Sequence, residues 1–200
     1  MHFVVPVILG YILGSISFSF LMGKLLKGID IRHHGSGNAG ATNTLRILGI
    51  GPAILVLLLD AAKGSLAVWI GRWIVPELDL IAVLAGLSAV IGHNWPVFFG
   101  FRGGKGIATT IGVMASLAFF PALIAGIVAI LSIVVTRFVS LGSLIFALLL
   151  PILVFSMYDS APIGWAAVAI AVFAFIRHRS NIVKLIQGKE NKIGAKTKSS

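Results

Sequence analysis

Apolar stretches long enough to cross a lipid bilayer recur along most of this chain, and they restrict its fold more than any other feature. A helix that crosses a membrane needs about 20 mostly apolar residues. Of the 200 residues, 58% are hydrophobic and only 11% are charged, which excludes an ordinary water-soluble domain of this size. We therefore predict an all-α integral membrane protein with a single polytopic membrane domain, residues 1–200.

The apolar stretches predict a bundle of seven transmembrane helices. The predicted spans are 3–25, 49–72, 79–95, 107–119, 121–136, 141–157 and 162–177, followed by a basic tail, 188–200, that we expect to be frayed. The stretch 107–136 has two interpretations. A tight turn at Phe119-Phe120-Pro121 gives seven spans, whereas one long helix kinked at Pro121 gives six.

The distribution of charge favours seven spans. With seven, every lysine and arginine except Lys63 and Arg72 lies on one side of the membrane. Because cytoplasmic loops are enriched in Lys and Arg, that side is predicted to be cytoplasmic, with the N-terminus outside and the C-terminus cytoplasmic. The net charge of +10 in so apolar a chain indicates anionic lipids or anionic substrates as partners rather than nucleic acid.

Three polar clusters interrupt the apolar sequence, and the seven-span arrangement puts all of them on the cytoplasmic side. The first is glycine-rich, runs from Gly35 to Asn43 and is followed by Arg46. Glycines let backbone N–H groups converge on an anion, and a helix that begins after them adds partial positive charge. The pattern predicts a phosphate site, with a simple flexible connector as the alternative. The candidate ligands are Ser36, Asn38, Gly40, Ala41, Thr42, Asn43 and Arg46.

The second cluster, 101–106, places a lysine between glycines. Glycines allow the backbone to approach a ligand closely, and Lys105 can act as a mobile point charge for phosphate. Gly103, Gly104 and Lys105 are therefore candidate binding residues. We expect His93, just before this cluster, to form hydrogen bonds at a helix end, since no second metal ligand stands at a suitable spacing.

The third cluster, 177–181, ends the last predicted span. On a continuing helix His178 and Asn181 share a face, because they are three residues apart. A histidine there can donate to phosphate or accept a proton, and the alternative is an interfacial histidine that caps the span. Ser143 begins the sixth predicted span and by itself is only a serine at a helix start.

Small and ionisable residues inside the spans predict how the helices pack. Gly10 and Gly14 form a GxxxG pattern that favours close helix contact. Asp60 and Lys63 lie three apart within the second span, where ionisable residues are costly unless they are paired, so we expect an ion pair. The chain has no cysteine, and no set of metal ligands is apparent.

Taken together, the clusters resemble the acyl-phosphate:glycerol-3-phosphate acyltransferases, bacterial membrane enzymes that make lysophosphatidic acid. The resemblance runs from the first span to Glu190. The motifs that carry it are Gly35-Ser36-Gly37-Asn38 through Asn43 and Arg46, Asp60-x-x-Lys63-Gly64, Gly92-His93 through Pro96, Phe101-x-Gly103-Gly104-Lys105-Gly106, and Arg177-His178-x-x-Asn181-Ile182 with Gly188-x-Glu190. Lys184 stands where the family pattern has arginine, which keeps the charge and loses the planar fork.

The resemblance implies a seven-span enzyme of the bacterial cytoplasmic (inner) membrane with its active site at the cytoplasmic face. It implies a fatty acyl phosphate as donor and glycerol 3-phosphate as acceptor. Besides these substrates we expect contacts with membrane lipids only, and no cofactor, metal ion or obligate protein partner. The residues that it marks as functional are Ser36, Arg46, Lys105, Ser143, His178 and Asn181.

The implied chemistry brings two anionic substrates together. We expect the 35–43 loop, with Asn181, to bind the acyl-phosphate headgroup. Glycerol 3-phosphate would be held by Arg46, Ser143 and His178, and Lys105 would bridge the two phosphates.

Several alternatives stay open at this point. Direct displacement by the 1-hydroxyl of glycerol 3-phosphate is preferred to a covalent route through Ser36 or Ser143. The base is either His178 or a substrate phosphate oxygen. A transporter of a phosphorylated solute and a catalytically silent assembly subunit are the rival functions, and the gathering of polar clusters on one face argues against the transporter.

Overall fold

The computed structural model describes residues 2–194, and across that range all regular secondary structure is helical. The prediction of an all-α protein is confirmed. The α-helices are α1 (Val4–Gly14), α2 (Phe18–Lys27), α3 (Ala41–Leu48), α4 (Ile50–Ile74), α5 (Asp79–Asn94), α6 (Ile107–Leu117), α7 (Phe119–Thr136), α8 (Val139–Met157), α9 (Ala161–Arg177) and α10 (Arg179–Ile186). Two 3₁₀ turns lie at Ile31–His33 and Val97–Phe99.

Within the described residues, five helical segments are long and apolar enough to cross a membrane. They are Val4–Lys27, Ile50–Ile74, Asp79–Phe99, Phe119–Thr136 and Val139–Met157. A sixth candidate is the pair α9 and α10, which is bent by 62°. Helix α6 is apolar but has 11 residues, about 16 Å of helix against a hydrocarbon core of about 30 Å. The count of seven spans and the orientation of the termini therefore stay predictions.

The stretch 107–136 is broken, but not at the position that the sequence suggested. Helix α6 ends at Leu117, Ala118 has the non-helical dihedrals φ −147° and ψ 76°, and α7 begins at Phe119. A single kinked helix is excluded. The predicted turn at Phe119-Phe120-Pro121 is wrong, because these residues form the first turn of α7. Proline is tolerated there, since the first N–H groups of a helix have no intrahelical partner.

The chain divides into two compact units, Met1–Leu117 and Ala118–Ser200. In the first unit, α1 packs on α5, and α4 packs on α1, α5 and α6. Gly10 and Gly14 lie directly on the backbone of Ala85 and Ala89, where a Cβ would overlap the carbonyl oxygens. This confirms the close packing that the GxxxG pattern predicts. Gly112 of α6 lies in the same way on the carbonyl of Ala61.

In the second unit, α8 packs between α7 and α9, and α10 contacts α8 and α9. The segment after α10 is not frayed as expected, because it folds back onto the turn between α7 and α8. The Ile193 N–H donates to the Arg137 carbonyl at 2.8 Å, and Lys192 lies 5.6 Å from the centre of the Phe138 ring. The rest of the predicted basic tail, 195–200, lies outside the described residues.

Candidate active site

A buried asparagine holds the first cluster in shape. Asn43 is fully buried, and its Nδ2 donates to the backbone oxygens of Ile31 and His34 at 3.1 and 3.0 Å. Its Oδ1 accepts the backbone N–H of Ser36 at 2.9 Å. The amide is thus bonded to the loop itself, which gives Asn43 a structural role, and its role as a substrate ligand stays a prediction. Asn43 therefore orders the loop and fixes the backbone at Ser36. Ser36 itself is exposed.

Helix α3 begins directly after the glycines of this cluster, as predicted. Gly40 is extended, with φ −167°, and its carbonyl accepts the first hydrogen bonds of the helix. The backbone N–H groups of Ala41 and Thr42 belong to the first turn, where no carbonyl of the helix can pair with them. This end of α3 carries partial positive charge. Arg46 lies four residues after Thr42 on the same helix face and is half-buried.

The first and second clusters meet at Gly104. Its N–H donates to the His93 carbonyl at 3.0 Å. A Cβ on Gly104 would overlap the His93 Nε2 and lie 2.5 Å from the Ala39 carbonyl oxygen, and a Cβ on Gly103 would overlap the His93 carbonyl. The two glycines are therefore required for packing onto the end of α5, a reason that the sequence did not indicate. Lys105 follows them directly and is half-buried.

An ion pair that the sequence analysis did not single out also joins these two loops. The Arg32 guanidinium donates to both Asp30 carboxylate oxygens, the closest at 2.8 Å, and to the Phe99 carbonyl at 2.7 Å. The hydrogen bonds from Arg32 lower the pKa of Asp30 from 3.8 to about 2, and Asp30 raises the pKa of Arg32 above its usual value. Because the pair spans only two positions in a loop, no helical spacing pointed to it.

The buried pair of Asp60 and Lys63 forms as predicted. The Lys63 Nζ lies 2.7 Å from Asp60 Oδ1 and donates to the Ile16 carbonyl at 2.6 Å. Ile16 lies in the break between α1 and α2, so Lys63 satisfies a carbonyl that this break removes from regular helical bonding. The His93 Nδ1 lies 3.5 Å from the same Asp60 oxygen, and all three ionisable residues are buried.

In the second unit, His178 separates α9 from α10. It is buried, with φ −98° and ψ 7°, and it marks the 62° bend between the helices. The interpretation that His178 and Asn181 lie on one continuing helix is therefore wrong. The His178 Nδ1 lies 2.8 Å from the Ala174 carbonyl oxygen, which can only accept, so Nδ1 carries the proton. The other ring nitrogen, Nε2, is then the one that can act as a base.

Asn181 lies in the first turn of α10 and is held by a glutamate. Its Nδ2 donates to Glu190 Oε1 at 2.7 Å, and the Ser140 hydroxyl donates to the same oxygen at 2.9 Å. Glu190 thus ties the start of α8 to the start of α10. Sequence reasoning gave Glu190 no role, although it appears in the third motif of the family pattern. Ser143, one turn along α8, donates its hydroxyl to the Val139 carbonyl at 2.9 Å.

The candidate residues therefore form one group in each unit. The group of the first unit consists of Ser36, Asn38, Gly40, Ala41, Thr42, Asn43, Arg46, Gly103, Gly104 and Lys105, on two loops that contact each other and on α3. The group of the second unit consists of Ser143, His178 and Asn181, with Glu190 added. Among residues 2–194, no cluster of three His, Cys, Asp or Glu side chains could hold a metal ion.

Apolar helices with small-residue packing are typical of a multi-pass membrane protein, and two contacting loops that carry glycines and cations suit an anionic ligand. A family model described as glycerol-3-phosphate acyltransferase matches residues 4–188. The chain therefore belongs to the glycerol-3-phosphate acyltransferase family. It is an enzyme, an integral membrane acyltransferase that acts on glycerol 3-phosphate and, through its family, serves phospholipid biosynthesis.

Individual relatives agree with this assignment over nearly the whole chain. The glycerol-3-phosphate acyltransferase of Shouchella clausii is 57% identical over 198 residues, covering 96% of this chain and 97% of the relative. That of Halalkalibacterium halodurans is 54% identical over 195 residues, covering 95% of both.

Two solved structures share the fold. The crystal structure of PlsY (YgiH), an integral membrane glycerol 3-phosphate acyltransferase in its glycerol 3-phosphate form, matches with a TM-score of 0.90 at 37% identity and covers 96% of both chains. Its lysophosphatidic acid form matches with a TM-score of 0.87 at 36% identity and covers 96% of this chain and 95% of that one. The all-helical membrane fold is thus that of an acyltransferase of known structure.

Proposed function

We propose that this enzyme transfers a fatty acyl group from an acyl phosphate to the 1-hydroxyl of glycerol 3-phosphate. The products would be lysophosphatidic acid, that is 1-acyl-glycerol 3-phosphate, and inorganic phosphate. The observation that supports this most is the pair of forms in which PlsY (YgiH) was crystallised, with glycerol 3-phosphate and with lysophosphatidic acid. These two molecules differ by one acyl group, so they fit the acceptor and the product of one acylation.

In the first unit, the 35–43 loop would bind the phosphate of the acyl donor. Ser36 lies where Asn43 fixes the backbone, and the first-turn N–H groups of Ala41 and Thr42 point along the axis of α3 toward its start. Preorganised donors of this kind stabilise charge without having to reorganise during the reaction. Arg46 would bind glycerol 3-phosphate. Lys105, on the loop that contacts Ala39, would offset the repulsion between the two phosphates.

In the second unit, Ser143 and His178 would bind glycerol 3-phosphate and Asn181 would bind the acyl phosphate. The family resemblance marks these residues as functional, and their division between the substrates is our hypothesis. Glu190 would act on Asn181 rather than on substrate. Because its carboxylate accepts from the Asn181 Nδ2, the amide oxygen and nitrogen of Asn181 cannot exchange places without losing that bond. Asn181 would therefore present a fixed face to its ligand.

The reaction needs no covalent enzyme intermediate. The 1-hydroxyl oxygen would attack the acyl carbonyl carbon, and the bond between that carbon and the phosphate oxygen would break, with phosphate as leaving group. The hydroxyl proton would pass either to His178 Nε2 or to an oxygen of the departing phosphate. The bond from Nδ1 to Ala174 supports the first route, since it fixes the tautomer that leaves Nε2 able to accept a proton.

Turnover by the purified protein tests the proposal. The protein in detergent or nanodiscs is incubated with palmitoyl phosphate and glycerol 3-phosphate, and lysophosphatidic acid and phosphate are measured together. We expect the two products in equal amounts. Palmitoyl-CoA replaces palmitoyl phosphate in a parallel reaction. Product from the thioester alone would refute the proposed donor, and phosphate release without acylated product would refute the transfer.

The proposed site lies at the cytoplasmic face of a bacterial inner membrane crossed by seven spans. Because the chain has no cysteine, a single introduced thiol labels uniquely. Gly37→Cys reports on the first cluster and Ser180→Cys on the third. We expect both to react with a membrane-impermeant maleimide in inside-out vesicles and to be protected in intact cells. Reaction of the two positions from opposite sides would refute the seven-span topology.

A further inference from the structure

We propose that His93, oriented by Asp60, is a positioning residue that holds the 101–106 loop in place and thereby aims Lys105. This inference rests on the proposed role of Lys105 in offsetting the substrate phosphates. It gives an indirect role in the reaction to two buried residues. From the sequence, Asp60 was expected only to pair with Lys63, and His93 only to form hydrogen bonds at a helix end.

Three ionisable residues are buried together in the first unit, although one ion pair would satisfy the Asp60 carboxylate. Lys63 already neutralises Asp60 at 2.7 Å, yet His93 also turns its Nδ1 toward the same carboxylate oxygen at 3.5 Å. Ionisable groups within membrane-spanning helices are costly, so we expect a role of His93 besides its contact with Asp60. Lys63 has a further role of this kind, since it donates to the Ile16 carbonyl in the break between α1 and α2.

The task of His93 follows from what its other atoms contact. The Nε2 edge of the ring lies against Gly104, and the His93 carbonyl accepts the Gly104 N–H at 3.0 Å and lies under Gly103. Ala39 of the first cluster contacts Gly104 from another side. Gly104 therefore lies between the imidazole and the first cluster, one residue before Lys105.

A loop with this composition needs such a surface. Gly100, Gly103, Gly104 and Gly106 give the segment around Lys105 wide backbone freedom, and glycine loses more conformational freedom on ordering than any other residue. The Asp60 carboxylate faces Nδ1 at 3.5 Å, a contact between charged or polar groups rather than a hydrogen bond, and it favours this orientation of the ring. The ring packs against Gly104 and the His93 carbonyl against Gly103, and the backbone of these glycines sets the position of Lys105.

Two substitutions break this contact from its two sides. His93→Asn keeps an amide near the place of Nδ1 for Asp60 and removes the ring edge beneath Gly104. Gly104→Ala keeps the ring and inserts a methyl group that overlaps its Nε2. Because a misplacement of about 1 Å can cost about 100-fold in rate, we expect each variant to lose roughly 10- to 100-fold in kcat/KM. The loss should fall on kcat more than on KM, since Lys105 would act most strongly on the charge of the transition state.

A readout that needs no turnover separates positioning from general damage. Arg102→Cys places a unique, exposed spin label beside Gly103. Because the label itself is exposed, the readout is the change in its motion, and we expect that motion to be more restricted in the otherwise native protein than with His93→Asn or Gly104→Ala. His93→Gln, whose amide reaches the former place of Nε2, should restore part of the rigidity and part of kcat.

The matched control is Ser88→Ala. Ser88 is also buried on α5, but its hydroxyl bonds the Val7 carbonyl at 2.8 Å, in α1. We expect this control to leave the motion of the label as it is in the native protein. A label whose motion does not increase in either loop variant, or increases equally in the Ser88 control, overturns the inference. A native enzyme that makes no lysophosphatidic acid from palmitoyl phosphate would instead overturn the proposed function, whatever the label shows.

Discussion

Replacing Asn43 by alanine tests whether this residue orders the first cluster or binds substrate. The substitution removes three hydrogen bonds, to the backbone of Ile31, His34 and Ser36, from a fully buried side chain. At about 1 kcal/mol net for each bond, the folded form of the loop loses about 3 kcal/mol. Since about 1.4 kcal/mol corresponds to a factor of ten, the population of the open loop should rise about 100-fold.

Hydrogen–deuterium exchange of the purified protein measures this change directly. Local opening governs the exchange of loop amides, so peptides covering 31–36 should exchange about 100-fold faster in Asn43→Ala, while peptides from the middle of α4 stay unchanged. Asn38→Ala, in the same loop, is the control and should exchange near the native rate over 31–36. Unchanged exchange in Asn43→Ala, together with a raised KM for one substrate, would show that Asn43 is a ligand after all and would refute the reasoning.

Three further predictions follow from single contacts. Glu190→Ala should lower kcat/KM by about tenfold or more, since Asn181 loses a charge-assisted hydrogen bond of about 1.5–3 kcal/mol; Glu190→Gln should recover much of it, and equal loss in both variants would contradict a positioning role. His178→Asn keeps a donor for the Ala174 carbonyl and removes Nε2, so a well-folded protein with turnover lowered about 100-fold or more is expected; near-native turnover would exclude Nε2 as base. Asp30 has a pKa lowered to about 2, so its ion pair contributes fully above about pH 4 and is lost only as the pH falls from there through 2; Asp30→Asn should therefore lower the thermal midpoint equally at pH 6 and pH 8, and unequal shifts would contradict this assignment.

Local patterns predicted the parts of the site that depend on neighbours in the chain. Glycines followed by Arg46 indicated a helix start, and α3 begins there. The spacing of Asp60 and Lys63 indicated a buried pair, which forms at 2.7 Å. In both cases the interacting groups lie within one helical turn or two of each other, where backbone geometry alone fixes their distance.

Contacts between distant residues could not be predicted in this way. Asn43 was interpreted as a ligand because its amide suits phosphate, and only the folded loop shows that the amide is bonded to Ile31 and His34. The glycines at 103 and 104 were interpreted as room for a ligand, and only the folded structure shows that they also make room for His93. The bond of Glu190 to Asn181 depends on how the chain after α10 folds back, and nothing in the residue spacing fixes that path.

Breaks between helices were also poorly marked in the sequence. The favoured interpretation put a turn at Phe119-Phe120-Pro121, yet the break lies at Ala118. Pro121 is tolerated in the first turn of α7, because a proline there costs no hydrogen bond. At the other break, α9 ends at Arg177, where the last predicted span also ends, but nothing in the sequence indicated that α10 follows His178 at a bend of 62°. The place of His178 between α9 and α10 is stabilised by the bond of its ring to Ala174 rather than by any local propensity.

The sequence by itself determined that this is a helical membrane protein of the glycerol-3-phosphate acyltransferase family, with cations and glycines gathered in three clusters. Hydropathy and composition suffice for the helical membrane fold, because a bilayer accepts only long apolar segments whose backbone groups are paired internally. The resemblance to the family is carried by the motifs of the three clusters. The tertiary structure decided which polar groups are available to bind a ligand and which form hydrogen bonds within the protein. That division depends on distances of about 3 Å between residues far apart in the chain, and such distances exist only once the helices have packed.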